Sequence, residues 1–258
     1  MAENVDEFRN LLDIVARLRA PGGCPWDRQQ THQSLRATFL QECYEVLAAL
    51  DSGDIVALRE ELGDLMLHIV LQAQIAAEAG EFTIEDSLRS INEKLIFRHP
   101  HVFGSAEVES AEEVTHNWVQ LKQAEKGTDE SMLAGVPKEM PALGYSQEIQ
   151  DRVARVGFDW EDDEGVIDKL SEEVGEFRRT ESRERQAEEF GDLLFTLANI
   201  ARRWDLDLEA ALRGANRRFY QRFAHMEEAC RKRGINIGDL SFDEQNALWE
   251  EAKRGTGE

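Results

Sequence analysis

The chain has 258 residues, of which 41% are hydrophobic and 32% charged, and its formal net charge at pH 7 is −22. This composition is that of a globular protein with enough apolar material for one or two domains. Because an acidic chain lacks the basic face that phosphate contacts require, we expect no nucleic-acid polymer as partner. The most apolar run, 62–77, contains four polar residues, and the first residues lack a secretory pattern. We therefore expect no membrane partner and, with three cysteines in no metal-type spacing, a reduced cytoplasmic setting.

Apolar residues recur with a helical period along the first half of the chain. This period predicts helices over 8–18, 38–50, 55–79, 84–97 and 111–126, with turns at 20–27 and 51–54. Pro100 is expected to terminate the fourth helix. The segment 127–141 contains Gly and Pro with weak periodicity, which indicates a linker between domains 1–126 and 142–258.

The second half repeats the pattern of the first. Glu60-Glu61-Leu62-Gly63-Asp64 returns as Glu188-Glu189-Phe190-Gly191-Asp192, and Trp118 with Lys122 returns as Trp249 with Lys253. The offset between matching positions stays at roughly 124 to 131 residues. The sequence therefore predicts an all-α protein of two homologous helical-bundle domains.

A polar stripe follows the most distinctive predicted helix. At about 100° per residue, Glu189, Asp192, Thr196 and Asn199 lie on one face. Nearly every other residue between Phe190 and Ile200 is apolar, which predicts that most of the helix circumference is buried and that the acids point into a bundle. A solvated acidic edge at the start of a core helix is the plainer interpretation.

Each half supplies a Glu-x-x-Glu pair from one helix and a Glu-x-x-Asp pair from the next. Two antiparallel helices would bring the four carboxylates of each half together. An all-oxygen cluster suits Mg²⁺ or Mn²⁺ better than zinc or copper, and Mg²⁺ usually shares its coordination sphere with substrate phosphates. These patterns indicate a phosphorylated ligand.

The four acids, the Gly-Cys-Pro-Trp-Asp segment at 23–27 and the His-Pro-His segment at 99–101 resemble the tandem-domain MazG nucleoside triphosphate pyrophosphohydrolases. The resemblance covers essentially the whole chain. It implies the all-α nucleoside triphosphate pyrophosphatase fold, a homodimer, and Mg²⁺-dependent hydrolysis of nucleoside triphosphates to monophosphates and pyrophosphate. It also implies broad nucleotide tolerance and a housecleaning or stress-linked role.

The resemblance also assigns site residues. The metal ligands of the second domain would be Glu173, Glu176, Glu189 and Asp192, and those of the first domain Glu42, Glu45, Glu61 and Asp64. Phosphate contacts would come from Lys169, Arg185, Arg218 and Arg222, while Trp249 and Lys253 would close over the nucleotide. The matching substrate-binding set of the first domain is Lys94, Arg98, Trp118 and Lys122.

The expected reaction is in-line attack of a metal-activated water on the α-phosphorus, with Glu173 and Glu189 in the catalytic centre. We assign Glu172, beside Glu173, to orienting or deprotonating that water. The matching residue in the first domain is Gln41, which cannot act as a base, so we expect the second domain to carry most of the activity. The alternative is a non-catalytic helical adaptor that binds nucleotide or metal. Trp26 and Trp160 are interpreted as core aromatics. His68 is interpreted as a hydrogen-bonded interior residue, with a role near the first site as the alternative.

Overall fold

The computed structural model describes residues 2–110, 113–114, 117–118, 121 and 131–255, with side chains described from residue 6 onward. Throughout this part of the chain the regular structure is helical, which confirms the predicted all-α class. Two compact units divide the chain, Met1–Asp129 and Glu130–Glu258. None of the described helices is long and apolar enough to cross a membrane.

Six described helices belong to the first unit. They are α1 (Ala2–Arg19), α2 (Pro25–Gln29), α3 (Arg36–Ser52), α4 (Ile55–Ala79), α5 (Ile84–Arg98) and α6 (Pro100–Phe103). The second unit contains α7 (Ala142–Ala154), α8 (Asp163–Arg179), α9 (Arg183–Arg203), α10 (Leu208–Arg233) and α11 (Phe242–Gly255), with a 3-10 turn at Ile237–Asp239.

Capping residues explain why the third predicted helix coincides with α4. The Asp54 carboxylate accepts hydrogen bonds from the backbone N–H groups of Val56 and Ala57, and Gly80 ends the helix in the left-handed region at φ 72°. Elsewhere the predicted bounds are less accurate. The turn expected at 20–27 contains the start of α2, and Pro100 both follows the end of α5 and begins α6. The helix predicted over 111–126 lies largely outside the described residues.

The core of the first unit lies between α1, α4 and the turn before α3. It contains Val15, Leu35, Val70, Leu71 and Ile75. An ion pair joins two of these helices: Arg19 Nη2 of α1 lies 2.7 Å from Glu78 Oε2 of α4. The Arg19 side chain is only 6% exposed and also donates to the backbone carbonyls of Asp27 and Gln30. One buried cation therefore joins α1, α2 and α4.

In the second unit α8 and α9 are joined by the three residues 180–182 and pack against each other as antiparallel neighbours. α7 packs on α9, and the buried Gln150 of α7 donates from Nε2 to the backbone carbonyl of Phe195 over 3.0 Å. α10 packs against α7 and α11. The α10–α11 pair encloses a separate apolar cluster of Met226, Cys230, Leu248 and Ala252.

The start of the second unit overlaps the segment predicted as a linker. Arg152 of α7 donates to the backbone carbonyl of Ala134 over 2.9 Å, and Val136 is buried. The segment around 134–136 is therefore attached to the second unit. The predicted domain boundaries remain a prediction that limited proteolysis would test.

The prediction that most of the circumference of α9 is buried is wrong in part. Ala198, Ile200 and Ala201 are buried, but Phe190, Leu194, Phe195 and Leu197 are between 38% and 51% exposed. The reason is geometric. α7 and α8 cover one side of this helix, and its other apolar side has little packed against it among the described residues of this unit.

Candidate functional site

An acid cluster forms where α8 and α9 pack together in the second unit. Carboxylate oxygens of Glu173, Glu189 and Asp192 lie within 4.8 Å of one another. Glu173 is only 5% exposed, Glu189 is half-buried and Asp192 is exposed. The predicted meeting of the two acid-bearing helices is therefore observed, although Asp192 faces solvent more than expected.

Burial and charge crowding both act on Glu189. Burial raises the pKa of its carboxyl, and the neighbouring charges of Glu176, Glu173 and Asp192 raise it further, while Arg185 opposes them. Glu176 thus contributes to the electrostatics of the cluster without belonging to the set of three converging oxygens. The site has an excess of negative charge that a cation would neutralise.

Lys169 places a positive charge against this cluster. Its Nζ lies 2.7 Å from Glu173 Oε1 and 3.2 Å from Glu172 Oε1, one turn along the same helix. Hydrogen bonds to Glu173 and Glu172 raise the pKa of Lys169 above its ordinary value. Of the predicted phosphate-binding residues, Lys169 and Arg185 therefore lie close to the acids.

The other predicted substrate residues lie on the α10–α11 pair. The Arg222 guanidinium lies over the Trp249 ring at 5.7 Å, Phe219 packs on the same indole with ring centroids 5.3 Å apart, and Lys253 pairs with Glu250. Arg218 is exposed on α10. The role of these residues at the acid cluster stays a prediction.

A cavity of about 570 Å³ opens beside the acid cluster. Lys169, Glu173 and Asp192 line it together with polar and aromatic side chains from α7, α9 and the segment before α8. Thr196 and Asn199, which the helical period places on the acid stripe, also face this cavity. The stripe predicted from the sequence is thus one wall of a pocket.

The aromatic wall of the cavity is a feature that the sequence analysis missed. Phe158, Trp160 and Phe195 line the pocket, and Trp160 is 42% exposed. The interpretation of Trp160 as a core aromatic is therefore wrong, as is that of Trp26, which is 59% exposed. The sequence does place these aromatics near the site, since Trp160 and Phe158 lie two and four residues before Asp162, which caps the acid-bearing helix α8.

The first unit has a similar acid cluster where α3 and α4 meet. Oxygens of Glu42, Glu45 and Glu61 lie within 4.8 Å of one another, and all three residues are half-buried. Burial raises the pKa of Glu42, and the charges of Glu45 and Asp64 add to the effect. The pKa of Glu61 is raised in the same way. Asp64 thus acts on the cluster through its charge.

Two neighbours distinguish the first cluster from the second. Gln41 donates from Nε2 to Glu45 Oε1 over 3.0 Å. His68 Nε2 lies 3.8 Å from Glu42 Oε1, and the pKa of His68 is lowered by burial, which outweighs the opposing charge of Asp64. His68 Nδ1 is buried with no hydrogen-bond partner among the described residues. His68 is therefore beside the acids, and the expectation of a satisfied interior histidine is wrong for this nitrogen.

The predicted substrate set of the first unit is partly described. Arg98, at the end of α5, lies with its guanidinium over the Trp118 ring at 5.2 Å, which matches the Arg222–Trp249 contact of the second unit. Lys94 is exposed on α5. Lys122 lies outside the described residues.

The donor chemistry of both clusters fits a hard divalent cation. The converging atoms are carboxylate oxygens, which Mg²⁺ and Mn²⁺ prefer, and they lie close enough for one ion to contact three of them. The raised pKa values of Glu42, Glu61 and Glu189 show negative charge without sufficient compensation. An ion bound at either cluster would remove that repulsion.

Comparison with known proteins gives one family. The model of the MazG nucleotide pyrophosphohydrolase domain matches residues 30–103, which include the acids of the first cluster. Over 249 residues the chain is 44% identical to the nucleoside triphosphate pyrophosphohydrolase/pyrophosphatase MazG of Thermotoga maritima, covering 96% of each chain. It is 38% identical over 258 residues to the nucleoside triphosphate pyrophosphohydrolase of Escherichia coli K12, covering 97% of this chain and 98% of that one. The chain therefore belongs to the MazG family of nucleotide pyrophosphohydrolases.

Proposed function

We propose that this protein hydrolyses nucleoside triphosphates to nucleoside monophosphates and pyrophosphate, with most of the turnover at the cluster of the second unit. One observation carries the proposal. The carboxylates of Glu173, Glu189 and Asp192 converge beside the Lys169 ammonium at the mouth of a cavity of about 570 Å³. The site thus combines carboxylates that can hold a cation, a positive side chain for phosphate and a pocket of small-molecule size.

In this proposal Glu173, Glu176, Glu189 and Asp192 hold Mg²⁺ or Mn²⁺. A bound divalent cation supplies charge neutralisation for phosphate oxygens and lowers the pKa of a coordinated water. Lys169 and Arg185 contact the phosphates and stabilise the negative charge that develops as the bond between the α-phosphorus and its leaving oxygen breaks. Glu172 accepts the proton of the water that attacks the α-phosphorus.

The first unit has the smaller share of turnover in this proposal. Its acids converge as those of the second unit do, but Gln41 stands at the position of Glu172 and an amide does not accept that proton. Glu42, Glu45, Glu61 and Asp64 would still bind a cation there. The family-model match over 30–103 supports a nucleotide-binding role for this unit.

We further propose broad base tolerance, a cytoplasmic housecleaning or stress-linked role, and a homodimer. The homodimer is supported by large apolar side chains left exposed within each unit, including Ile91 and Leu95 of α5 and Phe190 of α9. Contiguous exposed apolar surface typically marks an interface. Light scattering coupled to size-exclusion chromatography would test it, and a monomer mass at micromolar concentration would contradict it.

The test of the reaction is product analysis. Wild type and two double variants, Glu42→Ala/Glu61→Ala and Glu173→Ala/Glu189→Ala, are incubated with Mg²⁺ and each common nucleoside triphosphate, and monophosphate and pyrophosphate are quantified. Loss of pyrophosphate with the second pair alone supports the assignment. Comparable loss with the first pair would show that the first unit turns over as well. Folded wild type that releases no pyrophosphate would favour a nucleotide-binding adaptor instead.

A further inference from the structure

An arginine-rich segment joins the two acid-bearing helices of the second unit. Residues 178–185 contain four arginines and two glutamates, in a chain whose net charge is −22. Arg185 contacts the phosphates in the proposed function, and the other three arginines have no role in it. We propose that these three form a capture surface, which attracts the phosphate chain of the nucleotide and speeds its arrival at the acid cluster: Arg178, Arg179 and Arg183. This inference rests on the proposed function, because it takes the triphosphate to bind at that cluster.

The charge of the acid cluster makes such a surface useful. A nucleoside triphosphate is a polyanion, and it must approach several carboxylates in a strongly acidic chain. Lys169 offsets part of their charge, but it already pairs with Glu173 and Glu172. Exposed cations beside the cluster would raise the local concentration of an anionic substrate and its association rate.

The capture surface is close enough to the cluster to act on an incoming anion. At a rise of about 1.5 Å per residue, Arg179 is about 4.5 Å along the axis of α8 from Glu176, and Arg183 is about 9 Å along α9 from Glu189. Because the Debye length is about 10 Å at an ionic strength of about 0.1 M, charges at these separations are only partly screened. A charge in this segment already acts on the cluster, since Arg185 opposes the rise in the pKa of Glu189.

The three arginines have no acidic side chain as a partner. All three residues are exposed, and within the described ranges no carboxylate forms an ion pair with any of them. Basic residues elsewhere in the unit are paired, as Arg231 and Lys232 are with Glu228 at the end of α10. The positive charge of the capture surface is therefore available to an anion from solution.

Hydrogen bonds fix the backbone that carries the capture surface. Thr180 Oγ1 donates to the backbone carbonyl of Glu176 over 2.9 Å, and Gln186 Nε2 donates to the carbonyl of Thr180 over 3.1 Å. Arg179 Nε donates to the carbonyl of Gly175 over 3.0 Å, which places this guanidinium beside the residue that precedes Glu176. The charges are thus held near the acids before any ligand binds.

Helix stability accounts for only two of the three arginines. Arg178 and Arg179 lie in the last turn of α8, where the helix dipole favours cations. Arg183 is the first residue of α9, where the dipole disfavours a cation. A charge placed against the preference of its own helix indicates a role outside that helix.

The first unit lacks these charges. Glu42 precedes Glu173 by 131 residues, and Glu61 precedes Glu189 by 128. At the same offsets from the three arginines, the first unit has only uncharged residues: Leu47, Ala48 and Ile55. The capture surface therefore belongs to the unit to which we assign most of the turnover.

The triple variant Arg178→Gln/Arg179→Gln/Arg183→Gln tests the proposal. It is made in the Glu42→Ala/Glu61→Ala background, so that only the second acid cluster is intact. Stopped-flow fluorescence with Mg²⁺ and a fluorescently labelled α,β-methylene analogue of ATP, which binds without turnover, gives the association and dissociation rate constants. We expect the association rate constant to fall about tenfold at an ionic strength of about 0.02 M, and the difference to vanish at about 0.5 M, where charges are screened.

The dissociation rate constant should stay the same, because charges at the rim of a site act mainly on the approach of the ligand. With ATP as the substrate, we therefore expect kcat/KM to fall at low ionic strength and kcat to be unchanged.

Two matched variants separate steering from other effects. Arg231→Gln/Lys232→Gln/Arg233→Gln removes the same charge from exposed residues at the end of α10 and should leave the association rate nearly unchanged. Arg178→Lys/Arg179→Lys/Arg183→Lys keeps the charge and loses the guanidinium geometry. It should retain the association rate and the salt dependence of its parent, because steering depends on charge alone.

Four outcomes overturn the capture surface. They are an unchanged association rate at low ionic strength, a loss of equal size at both ionic strengths, an equal loss in the α10 variant, or no binding of the analogue to the parent protein. The proposed function fails separately, when capture of the analogue shows the expected salt dependence but ATP yields no pyrophosphate.

Discussion

Lys169 Nζ lies 2.7 Å from Glu173 Oε1, one helical turn away on α8. Glu173 is 5% exposed, and a buried carboxylate requires a positive partner, which Lys169 supplies. Hydrogen bonds to Glu173 and Glu172 raise the pKa of Lys169, so it stays protonated at any pH used for an assay. The same carboxylate is a proposed metal ligand, so the ammonium and the cation compete for it.

Lys169→Met should therefore have opposite effects on catalysis and on cation binding. Removing the competing charge leaves Glu173 free for the metal, and we expect tighter Mg²⁺ binding in the absence of nucleotide. Turnover should fall about 10²- to 10³-fold, because a charge that stabilises the transition state is lost. Calorimetric titration with Mg²⁺ and initial rates of pyrophosphate release measure the two effects. Lys232→Met, at an exposed lysine of α10, is the control, and a parallel loss of both properties in Lys169→Met would contradict the argument.

Glu172→Gln separates a proton acceptor from a metal ligand. Glu172 pairs with Lys169 but does not belong to the converging oxygens of Glu173, Glu189 and Asp192. We expect kcat to fall about 10²- to 10⁴-fold, as for loss of a general base, with little change in Mg²⁺ affinity. Steady-state kinetics checks the first expectation and titration the second. Glu184→Gln, an exposed acid in the first turn of α9, should change neither, and a weakened metal affinity in Glu172→Gln would make this residue a ligand instead.

Glu189→Gln should stabilise the metal-free protein at neutral pH. The raised pKa of Glu189 means that the folded protein holds this proton more tightly than the unfolded chain does. Its charged form therefore costs stability at a pH above the folded pKa, and the cost disappears below the ordinary value of 4.5. In EDTA we expect a higher Tm than wild type at pH 7.5 and no difference at pH 4. Thermal unfolding followed by circular dichroism measures both.

Mg²⁺ should reverse that order at pH 7.5, because an amide is a poorer ligand than a carboxylate and the wild type gains more from the ion. Glu227→Gln, an exposed acid of α10, serves as the control for removal of one charge. A Tm difference that is the same at both pH values, or one that Mg²⁺ does not change, would argue against a crowded cation site.

Glu78→Gln should destabilise the first unit at neutral pH. The pKa of Glu78 is lowered chiefly by its hydrogen bond to Arg19, with burial opposing, so the stabilisation is present above 4.5 and is lost as the pH falls through the folded pKa. At pH 7 we expect a loss of about 1–2 kcal/mol, after allowing for the 38% exposure of the Glu78 side chain. Urea unfolding at pH 7 and pH 3 measures the difference, which should vanish at the lower pH. Glu93→Gln on exposed α5 is the matched control.

The paired acids could be predicted from the sequence because their arrangement depends on local geometry. A spacing of three residues places Glu42 beside Glu45 on any helix, and a short connection makes consecutive helices antiparallel neighbours. Gly53 and Asp54 provide that connection between α3 and α4 by ending one helix and capping the next. The same two rules account for the meeting of α8 and α9.

The cavity could not be predicted in that way. It depends on the direction in which residues 155–162 leave α7 and on the ion pairs between Asp159 and α9, which join residues more than 40 positions apart. The exposure of Phe190 and its apolar neighbours also escaped prediction. A hydrophobic period shows that a helix face is apolar, but does not show whether the same chain covers it.

Trp160 rests on the first turn of α8, where a Cβ on Gly165 would lie 3.1 Å from the indole Cε3. The same helix carries Lys169 and Glu173 further along. A methyl group at position 165 would require the indole to shift by a few tenths of an ångström. The width of the pocket thus depends in part on a residue outside the acid cluster, so a substitution at this glycine would alter the pocket with the carboxylates left in place.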